Sequence, residues 1–159
     1  MPAGSERVSE MAPGATPPAP ALPRTWRPLG ARVAVIFFGA MLFATCAFAW
    51  FGFDPEIRAK FTLFQRSTVV FIGLLYVAAG YAIARSRVVA TEAGLTVVNG
   101  YRKRELEWAE VISIHLTAGA PWASVDLADG TTASLLAIQG TDGDRARDAV
   151  RAIRALIDR

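Results

Sequence analysis

The longest apolar stretch in the chain, Ala31 to Phe53, carries one ionisable side chain, Arg32, at its very start. As a helix at ~1.5 Å per residue it reaches about 34 Å, enough to cross a bilayer core of about 30 Å with modest tilt. Asp54-Pro55 ends it, because proline disfavours the helical conformation in the residue before it. A second stretch, Thr68 to Ala84, reaches only about 26 Å, near the lower limit for a span. It is therefore predicted to begin earlier, at about residue 66, with Gln65 and Arg66 snorkelling to the interface. The pattern predicts a transmembrane hairpin over 31–85, with spans at 31–53 and about 66–84. Gly80 with Ala84, and Ala40 with Ala44, supply small-residue spacings for close helix approach. Ile57, Phe61, Leu63 and Phe64 place the connection on the membrane surface.

Beyond Ser86 the period shortens. Arg87–Thr91, Leu95–Asn99, Arg102–Glu107, Ile112–Thr117, Trp122–Leu127 and Thr131–Ile138 read as strands, with turns at Glu92-Ala93-Gly94, Asn99-Gly100 and Asp129-Gly130. In the fourth strand Ile112, Ile114 and Leu116 share one face, and Ser113, His115 and Thr117 the other. Ala123, Val125 and Leu127 point inward from the fifth. Trp108 to Val111 forms a helical turn or a bulge. The chain then turns helical. Thr141 to Asp144 resembles a capping box, and Ala146, Ala149, Val150, Ile153, Leu156 and Ile157 fall on one face. A lone amphipathic helix of this length is not stable by itself, so its stripe should close the open end of the β-structure.

Composition sharpens this reading. A hydrophobic fraction of 53% and a mean hydropathy of +0.33 fit two spans joined to a small water-exposed domain over 86–159. Residues 1–30 are rich in proline, alanine and glycine, with Pro13, Pro17, Pro18, Pro20 and Pro23 breaking any regular register, and read as a disordered tail. Arg24, Trp26, Arg27 and Arg32 mark an interface. Residues 1–85 hold eight Lys/Arg against four Asp/Glu, and residues 86–159 nine against ten. The basic excess thus flanks the spans, and the soluble domain lacks the basic balance of a nucleic-acid binder. Three cations lie in the connection (Arg58, Lys60, Arg66) and eight in the flanks (Arg24, Arg27, Arg32, Arg85, Arg87, Arg102, Lys103, Arg104). Both termini are therefore expected on the cytoplasmic side of the plasma membrane. Ala47-Phe48-Ala49 could mimic a signal-peptidase site, but the proline-rich lead is unlike a charged n-region and a second span follows. Cys46, the only cysteine, lies within the first span and permits no intramolecular disulfide.

Six or seven antiparallel strands capped by one C-terminal amphipathic helix is the arrangement of a pleckstrin-homology (PH) domain. The run Val89 to Gly100, then Arg102-Lys103-Arg104, Leu106 and Trp108-Ala109-Glu110-Val111, resembles the bacterial PH domains of actinobacterial membrane proteins. So do Pro121-Trp122-Ala123, Leu127 to Gly130 and Leu135 to Gln139. The family is the one named after low-molecular-weight protein antigen 6, and the resemblance spans roughly 67–159. It implies a membrane α-helical hairpin followed by a small α+β PH-like domain: an anchored, non-enzymatic module.

Candidate chemistry is sparse. No acidic residue, lysine or histidine lies between Val33 and Phe53 or between Thr68 and Ala84, so the spans read as an anchor rather than a transport path. His115, the single histidine, has no visible nucleophile or orienting acid. There is no phosphate loop, zinc spacing or G-x-S-x-G, and no cofactor is expected. Arg102, Lys103 and Arg104 form the one suggestive cluster, positioned to meet anionic lipid headgroups or to pair with Glu105, Glu107 or Glu110. The basic pattern of phosphoinositide-binding PH domains is absent from Glu92-Ala93-Gly94, taken as the loop between the first two strands. The expected partners are the bilayer itself, a membrane or cytoplasmic protein, and anionic headgroups; nucleic acid is not among them. The leading expectation is a protein-interaction or scaffold module that uses an exposed sheet edge, and the alternative is an anionic-lipid sensor.

Overall fold

The structure, a computed structural model, describes residues 21–159. Two long helices, α1 (Leu29–Gly52) and α3 (Leu63–Arg85), run side by side, joined by the short α2 (Pro55–Lys60). Both are long and apolar enough to cross a membrane. Helix α3 starts at Leu63, earlier than expected, because Thr62 and Gln65 form a capping box: the Thr62 hydroxyl accepts from the Gln65 N–H and the Gln65 side chain accepts from the Thr62 N–H. The helices approach where Gly80 faces Val35 and Gly39 faces the Tyr76 ring, and the Tyr76 hydroxyl donates to the Val35 carbonyl at 2.9 Å. Gly80 thus sits in the contact as expected. Ala40 and Ala44 do not; both face outward, and Gly39 takes their place. At the far end, Phe61 packs on Trp50 and Phe53, and the Arg66 guanidinium lies over Trp50.

Among the described residues, seven strands form two antiparallel sheets. The first is ordered β1 (Arg24–Trp26), β2 (Arg87–Ala90), β3 (Gly94–Asn99), β4 (Arg102–Glu107); the second is β5 (Val111–His115), β6 (Trp122–Leu127), β7 (Thr132–Gln139). Strand β1 changes the sequence reading. It precedes α1, yet pairs with β2, which follows α3: Arg24 opposite Ala90, Thr25 opposite Val89, Trp26 opposite Val88. The helical hairpin is therefore the connection between the first two strands of the β-domain. Glu92-Ala93-Gly94 thus joins the second strand to the third, not the first to the second.

Residues 1–30 are expected as a disordered tail. Its first twenty residues lie outside the described ones. The last ten include β1 and the start of α1, because ladder pairing with β2 satisfies the backbone there, with Pro23 and Pro28 just outside the paired residues. Trp26, expected at headgroup depth, packs half-buried against the β-core.

The core lies between the sheets and under the C-terminal helix α4 (Asp144–Ile157), whose Ala146, Ala149, Val150, Ile153 and Leu156 are buried as the pattern required. The expected box at Thr141 is instead a short 3₁₀ turn, Gly140–Asp142, and α4 begins after Gly143 without a side-chain cap. In β5 the alternation fails at one place. A bulge between Val111 and Ser113 shifts the register, so Val111 and Ile114 are both buried and Ile112 faces solvent. Ala123, Val125 and Leu127 point inward as expected.

Asn99 does not sit within its turn. The two-residue turn is Gly100-Tyr101, with Gly100 at φ +59 in the first central position, as a type II′ turn requires. The Asn99 side chain instead joins the sheets: its amide donates to the Ser134 carbonyl at 2.6 Å and its carbonyl accepts from Leu136 N–H at 3.1 Å. Asn99→Ala leaves both β7 groups without that partner, and we expect a loss of about 1–3 kcal/mol. Chemical denaturation in a membrane mimetic measures it, and Asn99→Asp should not recover it at neutral pH, because its second carboxylate oxygen would face the Ser134 carbonyl.

Candidate functional site

The basic residues predicted as a lipid contact lie on β4, an edge strand. Arg102 is opposite Asn99, Lys103 opposite Val98 and Arg104 opposite Val97, and all three are exposed. Consecutive positions on a strand put Lys103 on the opposite face from Arg102 and Arg104. Lys103 pairs with Glu105 on the outer face, and that pair, by hydrogen bond first and charge second, lowers the Glu105 pKa. Arg104 points toward the β6–β7 turn. There Asp129 is held below the ordinary carboxylate range, chiefly by the Thr131 hydroxyl and N–H and further by the Arg104 charge. The strand nonetheless begins beside the hairpin. The Tyr101 hydroxyl donates to the Ala78 carbonyl of α3 at 2.8 Å, and the Arg85 guanidinium stacks over Tyr81 and Tyr101. Gly100 N–H donates to the Ser86 hydroxyl at 2.9 Å.

His115 does have an acid beside it, which its sequence neighbours concealed. Asp126, across the ladder on β6, lies 3.4 Å from His115 Nδ1 and accepts from the Ser113 hydroxyl at 2.7 Å. The Ser113 bond is the main reason Asp126 titrates below its usual range, with the His115 charge and Thr132 adding to it. The arrangement joins serine to aspartate and aspartate to histidine. Nucleophilic activation needs the serine bonded to the histidine, so this trio orders polar side chains on the sheet surface and leaves the hydroxyl unactivated.

Two concavities flank α4. One, a groove of about 950 Å³, runs between the β5–β6 connection and the outer face of the helix. Leu116 and Val150 are among its apolar residues, and His115, Arg147, Arg151 and Arg154 form its rim; no carboxylate lines it, but Arg147 and Arg151 pair with Asp144 and Asp148 just outside. The other, a cleft of about 390 Å³, lies on the opposite flank between β1 and the first turns of α4. Arg24, Arg27 and Arg145 border it together with Leu29, the first residue of α1. Arg24 and Arg27 carry an interface signal in the sequence, whereas nothing along the chain brings Arg145 to them.

Asp142 ties this region together. Its carboxylate accepts from Gly30 N–H at 3.1 Å, one of the orphan donors at the start of α1, where Pro28 provides no side-chain cap. A residue of the β-domain thus caps a hairpin helix. Asp142→Ala removes that cap, and we expect about 1 kcal/mol of lost stability, read as faster amide exchange across Gly30–Arg32. Asp142→Asn should be close to neutral.

The profile of a bacterial PH domain matches residues 85–156, from the end of α3 through most of α4. Uncharacterized proteins of Mycobacterium bovis and of Mycobacterium tuberculosis (strains H37Rv and CDC 1551) are 36% identical to this chain over 137 residues, covering 84% of it and 85% of each relative. That coverage takes in the hairpin as well as the β-domain. No solved structure matches significantly.

Proposed function

Because this chain belongs to the bacterial PH domain family, we propose that it is a membrane-anchored, non-enzymatic module that presents a protein-binding surface at the cytoplasmic face of the plasma membrane. The observation that carries this reading is the pairing of β1 with β2 across the hairpin. A domain tethered at one end swings on its linker. A domain whose sheet is closed around the two ends of an anchor keeps a fixed height and tilt, which is what a presenting module needs. The same pairing puts both ends of the hairpin on one side of any bilayer it crosses, and the flanking excess of Lys/Arg favours the cytoplasmic side. A protease that reaches a C-terminal tag only from outside intact cells would overturn this orientation.

The sheet edges argue for side-chain recognition over strand addition. Strand β1 offers three residues, and β4 is lined by charges, a guard against edge pairing. Asn99 occupies β7, and Arg154 donates to the Ile114 carbonyl of β5 at 2.9 Å. The groove between β5 and α4 is left as the partner site, and its cationic rim suits an acidic segment of a membrane or cytoplasmic protein. A photo-crosslinker at Thr117 in native membranes tests this. We expect a discrete adduct that disappears with Arg147→Glu plus Arg151→Glu. An adduct indifferent to that double change would sink the groove reading.

A second reading, an anionic-lipid sensor using Arg102, Lys103 and Arg104, is favoured by one contact, the bond from Tyr101 to α3 that sets the basic strand beside the hairpin. Charge reversal of all three residues with no change in preference for anionic vesicles would dispose of it.

A further inference from the structure

We propose that the cleft between β1 and α4 holds the phosphate of one anionic phospholipid drawn from the surrounding leaflet, a site separate from the β4 basic strand and from the β5–α4 groove. The inference rests on the reading that α1 crosses the membrane. Leu29 both lines the cleft and opens α1. The headgroup layer of one leaflet is about 5–8 Å deep, and the two-residue step from Leu29 back to Arg27 covers at most ~7 Å. On that reading Arg27, which lines the cleft, falls within the headgroup layer, within reach of the lipid phosphates.

The charges in the cleft leave a cationic surplus. Three guanidinium groups border it, from Arg24, Arg27 and Arg145, against two carboxylates, Asp142 and Asp148. Asp142 is engaged by Gly30 N–H, and Asp148 pairs with Arg151. Among the described residues, neither Arg27 nor Arg145 has a carboxylate within 4.0 Å, and Arg24 lies over the Trp26 ring. Arg27 and Arg145 come from opposite ends of the chain and are free to form forked hydrogen bonds to a phosphate. The first turn of α4 borders the same space, and its positive dipole end favours an anion. A volume of about 390 Å³ falls in the range of small-ligand sites, roughly 300–1,000 Å³. By contrast, Arg102 and Arg104 lie exposed along an edge strand, outside both concavities, where attraction to a leaflet is diffuse.

The full chain in nanodiscs of mixed phosphatidylglycerol and phosphatidylcholine tests the proposal. Alkaline carbonate extraction first establishes insertion, and native mass spectrometry then counts retained lipid. The expected result is one phosphatidylglycerol kept in preference to phosphatidylcholine. Arg27→Gln plus Arg145→Gln should weaken retention roughly 30-fold, at about one headgroup-layer charge each. Arg27→Lys plus Arg145→Lys should restore part of it, and Arg102→Gln plus Arg104→Gln should leave it unchanged. Equal retention of the two lipids overturns the proposal whatever the variants do. So does retention that survives the Arg27/Arg145 change, or displacement of the lipid by millimolar inorganic phosphate, which would identify a free-anion site. A chain that washes out in carbonate overturns the spanning reading, and the proposal falls with it.

Discussion

Gly94→Ala is expected to destabilise the β-domain by roughly 3 kcal/mol or more, through overpacking and backbone strain. Gly94 has φ +159, and a Cβ built there would lie 2.1 Å from the Leu106 carbonyl oxygen and 3.0 Å from both Leu106 C and Glu107 Cα. All three atoms are backbone, so no side chain can swing aside. Relief requires β3 to move away from β4 where Gly94 pairs with Glu107. That motion also pulls the Gly94 carbonyl from the Thr91 N–H and hydroxyl, at 2.9 and 3.1 Å. Small domains lose about 4–8 °C of Tm per kcal/mol, so a drop of more than ~12 °C is expected in a thermal scan of the protein in detergent. Gly52→Ala is the control. Nothing lies within 4 Å of a Cβ there, and alanine favours the helix, so its Tm should stay level or rise. Equal melting of Gly94→Ala and the unaltered protein would disprove the close approach of β3 to β4.

Gly94 also shows how far the sequence could be read. A turn around Glu92-Ala93-Gly94 was legible because glycine adopts positive φ freely. That the residue is needed mainly because β4 passes so near was not, since this depends on a strand twelve residues later. The same division runs through the fold. Apolar runs announced α1 and α3 because a span needs nothing beyond its own composition. Six strands and the stripe of α4 followed from local period. Strand β1 escaped because it is three residues long, sits in a proline-rich stretch, and finds its partner only after the whole hairpin. Ile112 reads as sharing a face with Ile114 because nothing in the alternation signals the bulge that separates them. The α3 capping box, by contrast, stood in the sequence as Thr62-Leu63-Phe64-Gln65 and marked the helix start directly.

The candidate sites divide the same way. Arg102, Lys103 and Arg104 were visible because they are consecutive, yet being consecutive in a strand sends neighbours to opposite faces and so separates them. Arg24, Arg27 and Arg145 were invisible as a group because only the β1–β2 pairing and the docking of α4 bring them to one cleft. The His115–Asp126 contact needed the β5–β6 register. Wherever a site is assembled across elements, charge counts along the chain say little about charge at a place.

Ile153→Ala should cost about 2–5 kcal/mol, the second large effect expected. Ile153 is fully buried on α4, which packs against β5 and β7 and closes the core. Truncation leaves a cavity that the sheets, cross-linked by Asn99, are poorly able to collapse into. The consequence should be selective. Helix α4 has too few residues to persist undocked, so its amides should exchange first, while those of α1 and α3, held by their own hydrogen bonds and the surrounding apolar phase, should remain protected. Both concavities lose a wall when α4 detaches, so the Thr117 adduct and the retained lipid should weaken together, although no residue of either site has been changed. Arg147→Ala, on the exposed face of the same helix, should stay within about 0.5 kcal/mol in stability. Hydrogen exchange with mass spectrometry distinguishes the outcomes. Uniform loss of protection through α1 and α3 would mean that hairpin and β-domain unfold as one unit, and that the β1–β2 closure couples them more tightly than two attachment points, the cap from Asp142 and the Tyr101 contacts with α3 imply.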